Sequence, residues 1–212
     1  MKILVTAGAT REPLDEVRFV SNVSSGATGA ALADALFSLG HEVVLLRGEG
    51  AVRSQQVRDG ETFTSCADLL AKLQRRLVGG SFEAVVMTAA VADYRPEMTL
   101  SGKIRSDADE LIVRLVRNPK ILPQLKDMSP CPLQVIGFKF TVGADADARR
   151  AAVSAQWAGG GVDATVHNDL HEIRAAAVHP FYLWRDPAIT PVLLVGVPAL
   201  AAALHAGWME AE

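Results

Sequence analysis

The chain has 212 residues, 50% of them hydrophobic and 21% charged, which is material for one substantial core and a small appendage. Its 21 basic and 24 acidic residues leave a formal net charge of -3, so there is no electrostatic footprint for nucleic acid or an anionic membrane, and an anionic ligand must be held by local groups. The two cysteines, Cys66 and Cys131, lie far apart and no apolar run approaches the roughly 18 residues of a membrane span, which argues against a disulfide framework, a zinc site or a spanning helix and leaves an untargeted chain in a reducing cytoplasm as the expectation.

Taken in order, apolar runs of strand length alternate with stretches of helical period. Lys2 to Thr6 reads as a first strand, Thr28 to Leu39 as a helix that Gly40 can end, and His41 to Gly48 as a second buried strand, which together make a βαβ unit. Ser65 with Asp68 resembles a capping box opening a helix through Val78, and Glu83 to Thr88 follows as a strand. Tyr94 to Lys103 fits neither period and is expected to be a long loop. Leu133 to Lys139 is a strand, and Asp145 to Ala158 a helix with acids at its positive end. Val162 to His167 is a further strand after the stop at Gly159 to Gly161. Beyond Asp169 the pattern changes: Glu172 to Val178 and Phe181 to Trp184 read as paired strands, and Val197 to Met209 as a closing helix. Continuous apolar strands separated by helices predict an α/β fold: a Rossmann-like parallel sheet flanked by helices, with a small β-paired C-terminal extension over about 170–212 of a single domain, 1–212.

In such a sheet ligands sit beyond the carboxyl ends of the strands, where loops lead into helix N-termini. Two loops stand out. The first, Thr6 to Gly29, is far longer than the tight turn of a dinucleotide fingerprint and ends in "SNVSSG" at a helix entrance, where N–H groups and the helix dipole can receive an anion. A plainer reading makes Ser21 or Ser24 a helix cap. The second loop, Thr88 to Pro96, is rich in small residues, which suits a flat ligand lying against backbone as well as ordinary strand-end packing.

The stretches "TAGATREPLDEVRFVSNVSSGATG", "TAAVADYRP", "GKIRS", "DELIVRLVRNPKIL", "VIGFKF" and "VDATVHNDL", in this order and spacing, resemble the phosphopantothenate-cysteine ligase family, in particular its stand-alone bacterial form, over about the first 170 residues. That resemblance implies a coenzyme A biosynthesis ligase. It would join 4'-phosphopantothenate to L-cysteine through an acyl-nucleotide, releasing pyrophosphate, with CTP the expected co-substrate, ATP the alternative, and Mg²⁺ required. It assigns Asn22 to the carbonyl of the acyl intermediate, Arg18 to anionic groups, and Lys103 to a flap, about 94–110, that closes over the neighbouring subunit's site in a homodimer. By the same resemblance Gly8, Thr10, Ser24, Ser25, Gly26, Ala89, Ala90 and Asp93 line the nucleotide site, and Phe138 with Asn118, Pro119, Lys120 and Ile121 frames the base. Asn118 and Pro119 also suit an N-cap and first helical residue. No residue is assigned to the metal.

The departures from the family pattern carry information too. Ala9 stands where a second glycine is common, and the helix before Val162 lacks the usual lysines, so that Arg149, Arg150 or Lys139 holds a triphosphate or its binding is weakened. His167 replaces a small residue, and with His171 has four-residue spacing, but a strand-to-loop junction does not place the two on one face. Two rivals remain. A non-catalytic nucleotide-binding paralogue is motivated by the missing lysines. An NADP-dependent reductase is suggested by the βαβ start and Arg47, which could meet a 2'-phosphate, although neither tyrosine has a lysine four residues on.

Overall fold

The structure, a computed structural model, describes residues 1–210. The first strand β1 (Lys2–Ala7) ends in a long excursion that carries a small ribbon, β2 (Arg11–Pro13) paired antiparallel with β3 (Phe19–Ser21), before helix α1 (Ala27–Ser38). Next come β4 (Glu42–Gly48), β5 (Asp59–Phe63) and α2 (Cys66–Gly79), then β6 (Ala84–Met87). A second excursion carries β7 (Tyr94–Pro96) and β8 (Leu115–Arg117), paired antiparallel, and runs into a 3-10 turn (Leu122–Gln124) and α3 (Leu125–Met128). The remainder is β9 (Gln134–Thr141), α4 (Ala146–Ala158), β10 (Ala164–Asp169), α5 (Leu170–Ala175), β11 (Pro180–Trp184), β12 (Val192–Val195) and α6 (Gly196–Met209).

Eight strands form one sheet in the order β12-β11-β10-β9-β6-β1-β4-β5, parallel from β10 to β5 and antiparallel for β11 and β12. Side-chain alternation divides β1 between two cores. Ile3, Val5 and Ala7 face Leu32 and Leu36 of α1 and Leu200 and Leu204 of α6, whereas Leu4 faces Leu69, Leu73 and Leu77 of α2 and Leu125 of α3. With both faces covered, the central parallel strands β1, β4 and β6 are mainly apolar. Among the described residues no helix is long and apolar enough to cross a membrane.

The predicted parallel α/β core is present, with differences at its margins. Glu172 to Val178 is not a strand: Asp169 accepts the His171 N–H at 2.9 Å and starts α5, with Glu172 in its first turn, so local capping overrides the apolar alternation. The antiparallel partners of β11 are β10 and the unforeseen edge strand β12. The expected loop from Tyr94 to Lys103 begins as β7. Strand β5 also went unforeseen. It is polar, contains Gly60 and joins β4 with a register shift at Leu45/Leu46, so neither apolarity nor alternation marks it.

Candidate functional site

The carboxyl ends of β1 and β6 are neighbours, and the loops that leave them are tied together by backbone. Ala90 N–H donates to the Gly8 carbonyl at 2.9 Å and Thr10 N–H to the Ala90 carbonyl at 3.2 Å, so Ala9 and Ala90 extend the parallel ladder by one bridge. Two threonines serve this join. Thr6 Oγ1 accepts the Ala89 N–H at 3.1 Å, and Thr10 Oγ1, fully buried, accepts the Ala92 N–H at 3.0 Å. Thr10 is thus placed as a link between loops, while Ala89 and Ala90, half-buried, line the crest. Asn22 lies exposed on the same crest, and its Nδ2 donates to the Val91 carbonyl at 3.1 Å.

The serines before α1 do not cap it in the expected way. Ser21 Oγ donates to the Thr10 carbonyl at 2.7 Å, and the N-cap of α1 is Gly26, which has no side chain to offer. Ser24 and Ser25 accept the Gly26 and Ala27 amides, each at 3.4 Å, beyond the usual hydrogen-bond range. The first turn of α1 carries no acidic residue, so its positive end is open to a ligand anion. Gly26 is also fixed by packing within the chain. Its φ is +76°, and a Cβ there would come within 2.8 Å of the Ala51 Cβ and 3.0 Å of the Gly8 backbone nitrogen. A side chain at Gly26 would therefore collide with Ala51 and the Gly8 backbone, and Gly8 is pressed against Ala51 likewise.

The 118–121 segment docks beside the second loop. Asn118 donates twice, from its backbone to the Asp93 carbonyl at 2.8 Å and from Nδ2 to the Ala92 carbonyl at 2.9 Å, and Lys120 pairs with the Asp93 carboxylate. The Pro119 carbonyl receives the Cys66 thiol at 3.8 Å, and Ile121 is buried in the α2-side core. Asn118 and Pro119 do not begin a helix, because the helical turn starts at Leu122 with Ile121 as its N-cap. Phe138 is not brought to this segment: it packs against the α1- and α6-side core, and the β9 position facing Leu122 is Gly137.

Arg18 and Lys103 are linked through the flap. Arg18 Nη1 reaches the Asp15 carboxylate at 2.9 Å and the Ile104 carbonyl at 3.1 Å, and Lys103 is exposed. A cavity of about 620 Å³ opens here, lined by Arg18, Leu100, Ile104, Arg105 and Leu111 among others. Two buried carboxylates that the sequence reading passed over hold this loop. Glu12 Oε1 accepts the Cys66 N–H at 2.8 Å at the start of α2, and Asp15 Oδ2 accepts the Ile104 N–H at 2.9 Å. Burial, then the Glu12 charge, pushes the Cys66 thiol up to about 11, so it is an inert core group.

Three cations were candidates for a triphosphate. Arg149 is spoken for: Nη2 pairs with Glu172 Oε1 at 2.5 Å, Nε donates to the Ala144 carbonyl, and the guanidinium lies over the Tyr182 ring. Arg150 donates to the Pro187 carbonyl at 2.6 Å and lies over Trp184. Lys139, near the end of β9, carries no ion pair among the described residues. His167 is fully buried, with Nε2 2.8 Å from the Thr141 hydroxyl; burial and then the Arg149 charge push it below the usual imidazole range. Asp169 is buried too. Against the cost of that burial, the Thr141 hydroxyl and the Ala144, Gly143 and His171 amides hold its carboxyl well below the usual range. No cluster of three His, Cys, Asp or Glu groups fit for a metal ion occurs among the described residues, and His171 is exposed while His167 is not. Arg47, the residue proposed to meet a 2'-phosphate, is buried and donates to the Ala51 carbonyl at 2.8 Å.

Comparison with known proteins places this geometry among relatives. Residues 1–179 match the family described as DNA/pantothenate metabolism flavoprotein C-terminal domain. The chain is 34% identical over 169 residues to the coenzyme A biosynthesis bifunctional protein CoaBC of Thermococcus kodakarensis, covering 80% of this chain and 41% of that protein. It is 36% identical over 148 residues to the CoaBC protein of Escherichia coli K12, covering 65% of this chain and 34% of that protein. The chain therefore spans well under half the length of these relatives. Among solved structures, the DNA/pantothenate metabolism flavoprotein from Streptococcus pneumoniae superposes with a TM-score of 0.86 at 25% identity, covering 100% of both chains. A Cab2 variant solved with phosphopantothenate-cysteine shares the fold at 17% identity, with a TM-score of 0.78 over 99% of this chain and 87% of that one.

Proposed function

This chain belongs to the DNA/pantothenate metabolism flavoprotein C-terminal domain family, and on that basis we propose that it is a phosphopantothenate-cysteine ligase acting in coenzyme A biosynthesis. The observation that carries the reading is the joined crest: two long loops at the ends of adjacent parallel strands, laced by the Ala9–Ala90 bridge, with the Asn22 amide spanning them beside the open N-terminus of α1.

The chemistry asked of this crest has two steps. The carboxylate of 4'-phosphopantothenate attacks the α-phosphorus of CTP, the bond to the bridging oxygen breaks, and pyrophosphate leaves. The amine of cysteine then attacks the acyl carbon, the nucleoside monophosphate departs, and the amine loses a proton. Negative charge builds on phosphoryl oxygens in the first step and on the carbonyl oxygen in the second, where preorganised donors lower the barrier. Asn22 has a second N–H, beyond the one given to Val91, to direct at the acyl oxygen. Arg18 and Lys103 supply positive charge on the flap side. The backbone at Ala89 and Ala90 flanks the α-phosphate, and the Ser24 and Ser25 hydroxyls, with the amides that follow them, donate to phosphate oxygens. With Arg149 and Arg150 engaged elsewhere, Lys139 is the cation for the outer phosphates.

Magnesium would neutralise triphosphate charge when bound. The described residues do not form a protein cage for it: Asp93 is paired with Lys120, and the oxygens of Asp169 are taken by four donors. The enzyme of this reading is a cytoplasmic homodimer.

Incubating the protein with 4'-phosphopantothenate, L-cysteine, Mg²⁺ and either CTP or ATP, with mass-spectrometric detection of the amide product, tests the reading. Amide formation that requires all three substrates supports it, faster with CTP. A folded protein that binds nucleotide yet forms no amide with either triphosphate is instead a non-catalytic paralogue, the reading that the two engaged arginines favour.

A further inference from the structure

Lys103 sits on an excursion that leaves the small ribbon at β7 and returns at β8, so the main sheet does not determine where its ammonium points. The bonds that hold this stretch come from the loop at 13–18, almost ninety residues earlier. Thr99 Oγ1 donates to the Pro13 carbonyl at 3.2 Å, and Leu100 N–H to the Leu14 carbonyl at 3.0 Å. Glu16 and Gly102 then exchange two bonds: Glu16 N–H to the Gly102 carbonyl at 3.2 Å, and Gly102 N–H to Glu16 Oε1 at 3.0 Å. On the far side of Lys103, the Ile104 N–H donates to Asp15 Oδ2 at 2.9 Å and the Ile104 carbonyl accepts from Arg18 Nη1 at 3.1 Å.

Asp15 is the centre of this clasp. Its side chain is fully buried, and its two oxygens divide the work. Oδ1 accepts the Val17 and Arg18 amides at 2.8 and 2.7 Å and shapes its own loop; Oδ2 accepts Ile104 N–H and Arg18 Nη1 and binds the flap. Foremost the Ile104 amide, working against burial, and then the Val17 and Arg18 amides and the Arg18 guanidinium hold its carboxyl below the usual carboxylate range. The carboxylate is thus ionised wherever the enzyme would work, and it acts as an acceptor only.

We propose that Asp15 is a positioning residue that fixes Arg18 and the Lys103 segment relative to each other through the single oxygen Oδ2. The inference rests on the ligase reading for the roles of Arg18 and Lys103, whereas the clasp itself does not.

The division between the two oxygens supplies the test. In Asp15→Asn the amide oxygen can keep the Val17 and Arg18 amides, but an NH₂ replaces the acceptor that Ile104 N–H and Arg18 share, so donor faces donor. In the wild-type protein, hydrogen exchange should show the Gly102 and Ile104 amides protected at least tenfold over those of 105–113. In Asp15→Asn that protection should be lost while α1 and β1 keep theirs. Turnover in ligation should fall at least tenfold, with the KM for CTP within twofold of wild type. Unprotected Gly102 and Ile104 amides in the wild type would overturn the clasp without any variant being needed. Unchanged protection in Asp15→Asn would do the same, and a loosened segment with undiminished turnover would remove the positioning role. Wild-type protection accompanied by no ligation would leave the clasp standing and defeat the ligase reading instead.

Discussion

Replacing Gly26 by alanine separates what this residue does for the fold from what it does for a ligand. Two glycines bound α1, and both have positive φ: Gly26 at +76° and Gly40 at +89°. An L-residue held there costs about 1–2 kcal/mol, a cost common to both sites. Around Gly40 nothing lies within 4 Å of a new Cβ, so Gly40→Ala should lose only that strain. At Gly26 the new methyl meets the Ala51 Cβ at 2.8 Å and the Gly8 nitrogen and Cα at 3.0 and 3.1 Å, and the Gly8 contacts are backbone that cannot rotate away. Overpacking of this kind adds about 1–3 kcal/mol, which brings Gly26→Ala to about 2–5 kcal/mol. For a chain of this size that corresponds to melting shifts of roughly 2–8 °C for Gly40→Ala and 4–20 °C for Gly26→Ala, with denaturant unfolding giving the free energies directly. Equal losses at the two positions would refute the close approach of α1 to the β1 loop. Because Gly26 serves the fold, its variants cannot report on phosphate. Ser24→Ala and Ser25→Ala can, since hydroxyls accepting at 3.4 Å stabilise the fold by less than about 1 kcal/mol.

Four further outcomes are expected. Asn22→Asp sets a carboxylate against the Val91 carbonyl and removes the donor for the acyl oxygen, so ligation should slow about a hundredfold, equivalent to about 3 kcal/mol, and wild-type turnover would rule out the role. Lys139→Ala should raise the KM for CTP about tenfold or more, equivalent to at least about 1.4 kcal/mol, whereas Arg149→Ala should act on thermal stability instead; the reverse pattern would reassign the triphosphate cation. Burial, then the amino terminus and His205, lowers the pKa of His41, whose Nε2 lies 3.0 Å from His205 Nδ1. The unfolded chain therefore takes up that proton first as pH falls through about 6.5, and folding stability drops by up to about 1.4 kcal/mol per pH unit until the lower folded pKa is passed. Thermal melts from pH 8 to 5 should show a shallower decline in His41→Asn than in wild type, and identical slopes would contradict this. Sedimentation should give a homodimer, and a fully active monomer would exclude sharing of the flap between subunits.

The sheet was legible where burial on both faces makes strands mainly apolar, as in β1, β4 and β6, and where capping groups such as Ser65 and Asp145 sit at helix starts. Strand β5 escaped because its register with β4 slips around a glycine, and α5 was misread because Asp169 is at once a strand end and a helix cap. Both crest loops stood out by length and small residues. What joins them did not: Thr10, Glu12 and Asp15 find partners 54 to 89 residues away, and an acid in a loop reads as a surface group until those partners are known. The face that Phe138 occupies was legible in principle. Alternation along β9 puts it with Ile136 on the α1 face and gives Gly137 to the face of Leu122.

The ligase reading stands or falls most directly on the first half-reaction. Rapid mixing of the protein with 4'-phosphopantothenate and CTP, without cysteine, should release a burst of close to one pyrophosphate per active site and leave an acyl-cytidylate that added cysteine converts to amide. Absence of both burst and acyl-cytidylate in a protein shown to bind CTP would contradict the account.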